Sequence, residues 1–130
     1  MNNYVADTMA FILRLEKRKL PSEIKSIFIQ AENGLTQIRI PGIVIAELGY
    51  LSEKGKIDIN LADARAYLDK HQSISVYPLT FEVVEYAFRI DDIPELHDRL
   101  IAATAMAVNV PILTNDPDIR NSVHVQSVWK

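Results

Sequence analysis

The sequence predicts a single α/β domain built on a parallel sheet with helices over both faces. Three observations point there. Short β-branched runs such as "TQIRI" and "SISVYPL" alternate with longer segments whose apolar residues recur at helical spacing. Capping and stop residues punctuate those segments. No repeat, low-complexity tract or linker interrupts the chain, and 130 residues suit one domain spanning 1–130. Strands that alternate with helices in this way pair in parallel and are covered on both sides.

"NYVAD" reads as a first strand ending in Asp7. A helix from Thr8 to Lys19 follows, with Phe11, Ile12 and Leu15 at helical spacing. Pro21 and Ser22 start a second helix in "PSEIKSIFIQAEN", with Ile24, Ile27 and Phe28 as its apolar residues and Gly34 as its stop. "TQIRI" is the second strand. "PGIVIAELGYLSEKG" is an apolar helix entered through Pro41 and closed by Gly55. Asn60 caps a more polar helix, "NLADARAYLDKH". "SISVYPL" is the third strand, ended by Pro78, and Thr80 caps "FEVVEYAFRI". "PELHDRLIAATAMAVNV" is the next long helix, "PILT" a fourth strand, "DPDIRNS" a turn or short helix, and "VHVQSVW" a last strand.

Composition excludes several classes. The hydrophobic fraction of 48% and charged fraction of 24% are those of a globular chain, not a disordered or fibrous one. Without cysteine there is no disulfide scaffold, thiol nucleophile or cysteine zinc site. No apolar run reaches the roughly 18 residues of a membrane helix. The start "MNNYVADTMAFILRLEKRK" reverses the order of a secretory signal, so a cytoplasmic location and no membrane partner are expected. A net charge of −3 does not advertise nucleic-acid binding. Arg14, Lys17, Arg18, Lys19 and Lys25 are a local basic cluster that reads most simply as a solvated helix surface.

The acids are less ordinary. In open parallel sheets, ligands bind beyond the carboxyl ends of the strands. Asp7 ends the first strand and Asp116 follows "PILT" by two residues, so both belong at one rim, although either alone could be a helix cap. Glu47 sits among Ile43, Val44, Ile45, Ala46, Leu48, Tyr50 and Leu51, on a helix apolar nearly all round and therefore expected to be buried. A buried carboxylate must be protonated, paired or bound to a metal, and the plainer readings of Glu47 are a salt bridge to an arginine or a rim position facing water. Asp98 opens a helix whose Ala102 and Ala105 allow close approach to the sheet. Arg99 beside it reads as a structural clamp or surface charge. Thr114 and Asp118 flank Asp116, the hydroxyl able to bond a carboxylate or a bound water, while Asp118 could equally be a solvated turn residue. Four carboxylates at one rim raise each other's pKa, and a hard divalent cation relieves them. All-oxygen ligation selects Mg²⁺ or Mn²⁺, a site suited to phosphodiester hydrolysis.

The stretches "VADT", "IVIAELGYL", "HDRLIAATA" and "ILTND" resemble the PIN-domain ribonucleases, in particular the VapC-type toxins of toxin–antitoxin pairs, across essentially the whole chain. The resemblance implies a PIN-like three-layer sandwich with a central, mostly parallel sheet flanked by helices. It implies an acidic site of Asp7, Glu47, Asp98 and Asp116, with Asp7, Asp98 and Asp116 as Mg²⁺ or Mn²⁺ ligands and Glu47 as a ligand or holder of a bound water. Thr114 would orient a ligand or water, and Asp118 would support it. RNA substrate, a cognate antitoxin and a homodimer are further implications. The chain departs from the family at Met9, where Ser or Asn is frequent, and in the segment before Asp98, Glu95-Leu96-His97.

Other readings are weaker. His71, His97 and His124 share no metal-ligand spacing, and no glycine-rich phosphate loop or G-x-S-x-G context occurs. A phosphoryl-transfer receiver domain would need an acceptor Asp ending a middle strand, which "SISVYPL" lacks. The alternative kept beside the nuclease is a catalytically weak PIN-like module that binds RNA or a protein partner. Retention of all four acids speaks against it.

Overall fold

The computed structural model describes residues 2–130. In chain order the elements are β1 (Asn2–Ala6), α1 (Thr8–Leu15), α2 (Ser22–Glu32), β2 (Thr36–Pro41), α3 (Gly42–Glu53), α4 (Leu61–Lys70), β3 (Ile74–Tyr77), α5 (Phe81–Ala87), α6 (Leu96–Val108), β4 (Ile112–Leu113), α7 (Pro117–Arg120) and β5 (Ser127–Val128). The five strands form one sheet in the order β3-β2-β1-β4-β5, and every adjacent pair is parallel. The chain thus builds outward from β1 to β3, then crosses back and builds the other way. That reversal puts a topological switch point between β1 and β4, where the connecting helices part and leave a crevice beyond the strand ends. Among the described residues, no helix is long and apolar enough to cross a membrane.

The core explains the alternation. Val5, Ala6, Ile38, Ile40, Ile112 and Leu113 from the central strands are fully buried. Phe11, Ile12, Ile24 and Phe28 cover the sheet from α1 and α2, and α6 buries every residue from Leu100 to Ala105. Ala102 and Ala105 let α6 sit close on β1 and β2, as their size requires.

Four helices stop in the same way. At the ends of α2 and α3, Gly34 and Gly55 take φ of 80° and 69°, and the amides beyond each helix turn back onto its last-turn carbonyls. Asn109 does the same for α6 at φ 55°. In α1 the residue is Lys17, at φ 57°, with Lys17 N–H donating to Arg14 O and Arg18 N–H to Leu13 O. A side-chain-bearing residue in this conformation costs roughly 1 kcal/mol. This stop ends α1 at Leu15, short of the expected Lys19, so Lys17, Arg18 and Lys19 lie on a loop and not on a helix face.

Three further expectations change. Asp98 does not open α6: Glu95 is the N-cap, its carboxylate accepting the Asp98 N–H at 2.9 Å. The last strand contracts from "VHVQSVW" to Ser127–Val128, because its first half is tied elsewhere. Asp92 accepts from Ser122 Oγ at 2.8 Å and from the Val123 N–H at 2.9 Å, while His124 meets Asp91 at 2.9 Å. Helix α3 is not buried all round; only Val44 and Leu48 are fully inside. It packs on α1, α4, α6 and β2 through that stripe, leaving Ala46 and Tyr50 exposed.

Candidate metal centre

Asp7 leaves the carboxyl end of β1 and turns straight into α1. Its extended backbone suits an N-cap, and one carboxylate oxygen accepts the Ala10 N–H at 2.8 Å. The other oxygen accepts the Thr114 hydroxyl at 2.5 Å, across the switch point. The Asp7 N–H also donates to Leu113 O at 3.1 Å, which fixes β1 against β4 at their ends. Capping and membership of the rim therefore coincide in one side chain. Burial pushes the Asp7 carboxyl up to about 6; the Thr114 and Ala10 hydrogen bonds oppose the rise, and the charges of Asp116 and Glu47 add to it.

Thr114 is fully buried and its hydroxyl serves two acids. While donating to Asp7 it accepts the Asp116 N–H at 3.0 Å. Asp116 then caps α7, accepting the Ile119 N–H at 3.0 Å. That short helix swings Asp118 back: carboxylate oxygens of Asp98, Asp116 and Asp118 all lie within 4.8 Å of one another. Asp98 sits in the first turn of α6, half-buried. Its carboxyl is pushed up to about 7 by burial first, then by the charges of Asp116, Glu95, Glu47 and Asp118. Arg99 next to it donates to the Ile93 carbonyl and clamps the loop that enters α6.

Glu47 reaches the same place from α3. It is half-exposed, and its carboxylate accepts the Thr8 hydroxyl at 2.6 Å. Its charge raises both Asp7 and Asp98, as does that of Asp116. The carboxylates close enough to share one cation are those of Asp98, Asp116 and Asp118; Asp7 and Glu47 belong to the same rim through their charge effects on each other and on its other acids, but lie outside that group. Thr8 has no assigned role in the sequence, although its place directly after Asp7 in "VADT" is the available signal.

Among the described residues, none of these five acids forms an ion pair; the bridges present join Arg14 to Glu32, Arg18 to Glu16, His97 to Glu95, and His124 to Asp91 and Asp92. A salt bridge is thus no explanation for Glu47, but the expected full burial is not found either: the side chain is partly exposed at the rim. The donor set is all carboxylate, its charge is uncompensated, and two members hold their protons well above the usual range. These are the features a hard divalent cation relieves, so the residues fit one. Beside the acids, Ile43, Ala46, Glu47, Tyr50, Leu51 and His97 line a hollow of about 580 Å³.

Fold and site together define a parallel α/β domain with an acidic rim at its switch point. A family model of the PIN domain matches residues 4–123, and the chain belongs to the PIN domain family. Solved structures share the fold. VapBC2 from Rickettsia felis, bound to a DNA fragment from their promoter, has 22% identity and a TM-score of 0.74, covering 98% of this chain and 99% of that one. A toxin–antitoxin complex from Klebsiella pneumoniae has 18% identity and a TM-score of 0.62, covering 94% of each. Mycobacterium tuberculosis VapC20, a sarcin–ricin loop cleaving toxin, has 16% identity and a TM-score of 0.65, covering 95% of this chain and 98% of that one. No curated protein matches the sequence.

Proposed function

We propose that the protein is a Mg²⁺- or Mn²⁺-dependent endoribonuclease, the toxin of a type II toxin–antitoxin pair. The observation that carries this reading is the gathering of Asp7, Glu47, Asp98 and Asp116 at one rim with no ion pair to any of them among the described residues. Asp7, Asp98 and Asp116 would hold the cation, with Glu47 as a ligand or as the holder of a water, and Asp118 in support. When bound, the cation supplies charge neutralisation at the scissile phosphate and activation of the attacking water. The chain's own residues do the positioning. Thr114 locks Asp7 and Asp116 to one hydroxyl, and the Thr8 hydroxyl holds the Glu47 carboxylate. Hydrolysis would then join the water oxygen to phosphorus and break the bond to the leaving sugar oxygen, which takes up a proton in exchange for the one the water gives up.

The fold shared with VapBC2 and with the Klebsiella toxin–antitoxin complex supports an antitoxin partner. The uncovered apolar side of α3, at Ile43, Ala46, Tyr50 and Leu51, supports a homodimer. A cytoplasmic location belongs to the same reading.

Asp7→Asn, a near-isosteric change, tests the mechanism. With Mn²⁺ the wild type is expected to cut RNA, and the variant to cut it orders of magnitude more slowly; equal rates sink the assignment. Calorimetric titration separates the alternative, because a binding module without catalytic metal takes up no Mn²⁺ at millimolar concentration.

A further inference from the structure

Away from the acidic rim, a groove of about 580 Å³ opens where the ends of α1 and α4 meet α2. Arg14, Lys17, Arg18, Lys19, Lys25 and Lys70 line it, and Glu32 is the one acid in its wall. On a chain of net charge −3 this is a marked concentration. A solvated helix face would carry its charges at helical spacing on one element. Here they come from α1, the loop after it, α2 and α4.

Floor and mouth differ in state. On the floor, Arg14 makes a two-point bridge to Glu32 at 2.8 and 2.7 Å, and the Tyr67 hydroxyl donates to the same carboxylate at 2.5 Å. That network is satisfied and rigid. At the mouth, Lys17, Lys19, Lys25 and Lys70 are exposed and form no ion pair among the described residues. Lys17 occupies the left-handed position that Gly34 and Gly55 fill in α2 and α3, and Leu20 anchors the loop's other end in the core. Three successive cations are thus held at the groove by a backbone turn for which glycine is the easier residue.

We propose that this groove binds the sugar–phosphate backbone of single-stranded RNA. The choice of RNA rests on the ribonuclease reading above; the groove's preference for a polyanion does not. An acidic rim repels phosphates, so a substrate must be held by cations set apart from it. Lysine ammonium groups on flexible stems are point-charge contacts for phosphate. Asp7 and Arg14 lie seven residues apart at opposite ends of α1. That is about 10 Å along the axis, or roughly three phosphates at the spacing of a stacked strand.

The test is fluorescence anisotropy of a short single-stranded RNA with full-length protein in EDTA, where no hydrolysis intervenes. The triple variant Lys17→Ala, Lys19→Ala, Lys70→Ala is expected to bind at least about 10-fold more weakly at low salt. Its plot of log K against log salt is expected to be shallower by about 2, at ~0.7 per lost phosphate contact. Lys56→Ala, which removes an exposed lysine outside the groove, is expected to bind as tightly as wild type. Since all three lysines are exposed, the melting curve should be unchanged; if it is not, the single variants Lys19→Glu and Lys70→Glu carry the same comparison. Wild-type affinity and salt slope in the variants overturn the proposal, even if RNA cleavage with Mn²⁺ is intact. Groove-dependent binding without cleavage leaves the proposal standing and removes the nuclease reading. Displacement of the RNA by polyglutamate at equal charge overturns the assignment to RNA in favour of an acidic polypeptide.

Discussion

Replacing Asp7 with Asn should stabilise the metal-free protein while disabling it. The Asp7 carboxyl is pushed up from 3.8 to about 6, chiefly by burial. A carboxyl whose folded pKa lies above its unfolded value favours folding when protonated. The metal-free protein therefore keeps this contribution below pH 3.8 and loses it as pH rises towards 6. At about 1.4 kcal/mol per pH unit, ionised Asp7 costs the fold ~3 kcal/mol at neutral pH. Asn removes that cost and retains an oxygen for the Ala10 N–H. For a chain of this size the gain corresponds to roughly 10 °C in Tm, an upper bound because Thr114 must reorient its hydroxyl. Thermal melts in EDTA at pH 4 and pH 7 measure it. The variant should melt higher at pH 7, the gap should close near pH 4, and Mn²⁺ should raise the wild type alone. A variant no more stable at pH 7, or a gap independent of pH, refutes the reasoning.

Thr114→Val should leave a buried Asp7 oxygen and the Asp116 N–H unpaired, costing about 2 kcal/mol in urea denaturation and 10–100-fold in Mn²⁺ affinity by calorimetry. Lys17→Gly should raise stability by about 1 kcal/mol in the same denaturation assay, because it relieves a left-handed backbone. On size-exclusion chromatography with light scattering, the wild type should run as a dimer and Tyr50→Arg as a monomer; a monomeric wild type removes the α3 interface.

The legible parts of the molecule are those with local causes. Asp7 at a strand end, Gly34 and Gly55 as stops, and Asn60 and Thr80 as caps follow from neighbours a few residues away. The acids stood out because carboxylates flanking apolar runs are chemically odd, and they meet because a parallel sheet puts all its strand ends on one side. What depended on distant contacts was hidden. Thr8 finds Glu47, 39 positions further along the chain, only once the fold brings α3 back to α1. Asp118 joins Asp98 only through the α7 turn that Asp116 caps. The last strand loses its first half to Asp91 and Asp92, which no pattern within "VHVQSVW" announces. The Lys17 stop, made at a residue type that seldom takes this conformation, turned an expected helix surface into a loop around a groove.

Two clusters among the described residues have carboxylate and imidazole groups close enough to share a cation: Asp98 with Asp116 and Asp118, and Asp91 with Asp92 and His124. Anomalous diffraction from a crystal grown with Mn²⁺ separates them directly. The metal-centre reading requires a strong peak at the first cluster, with Asp7 drawn in as a further ligand, lost in Asp98→Asn. A peak only at His124, or none at the rim, contradicts it.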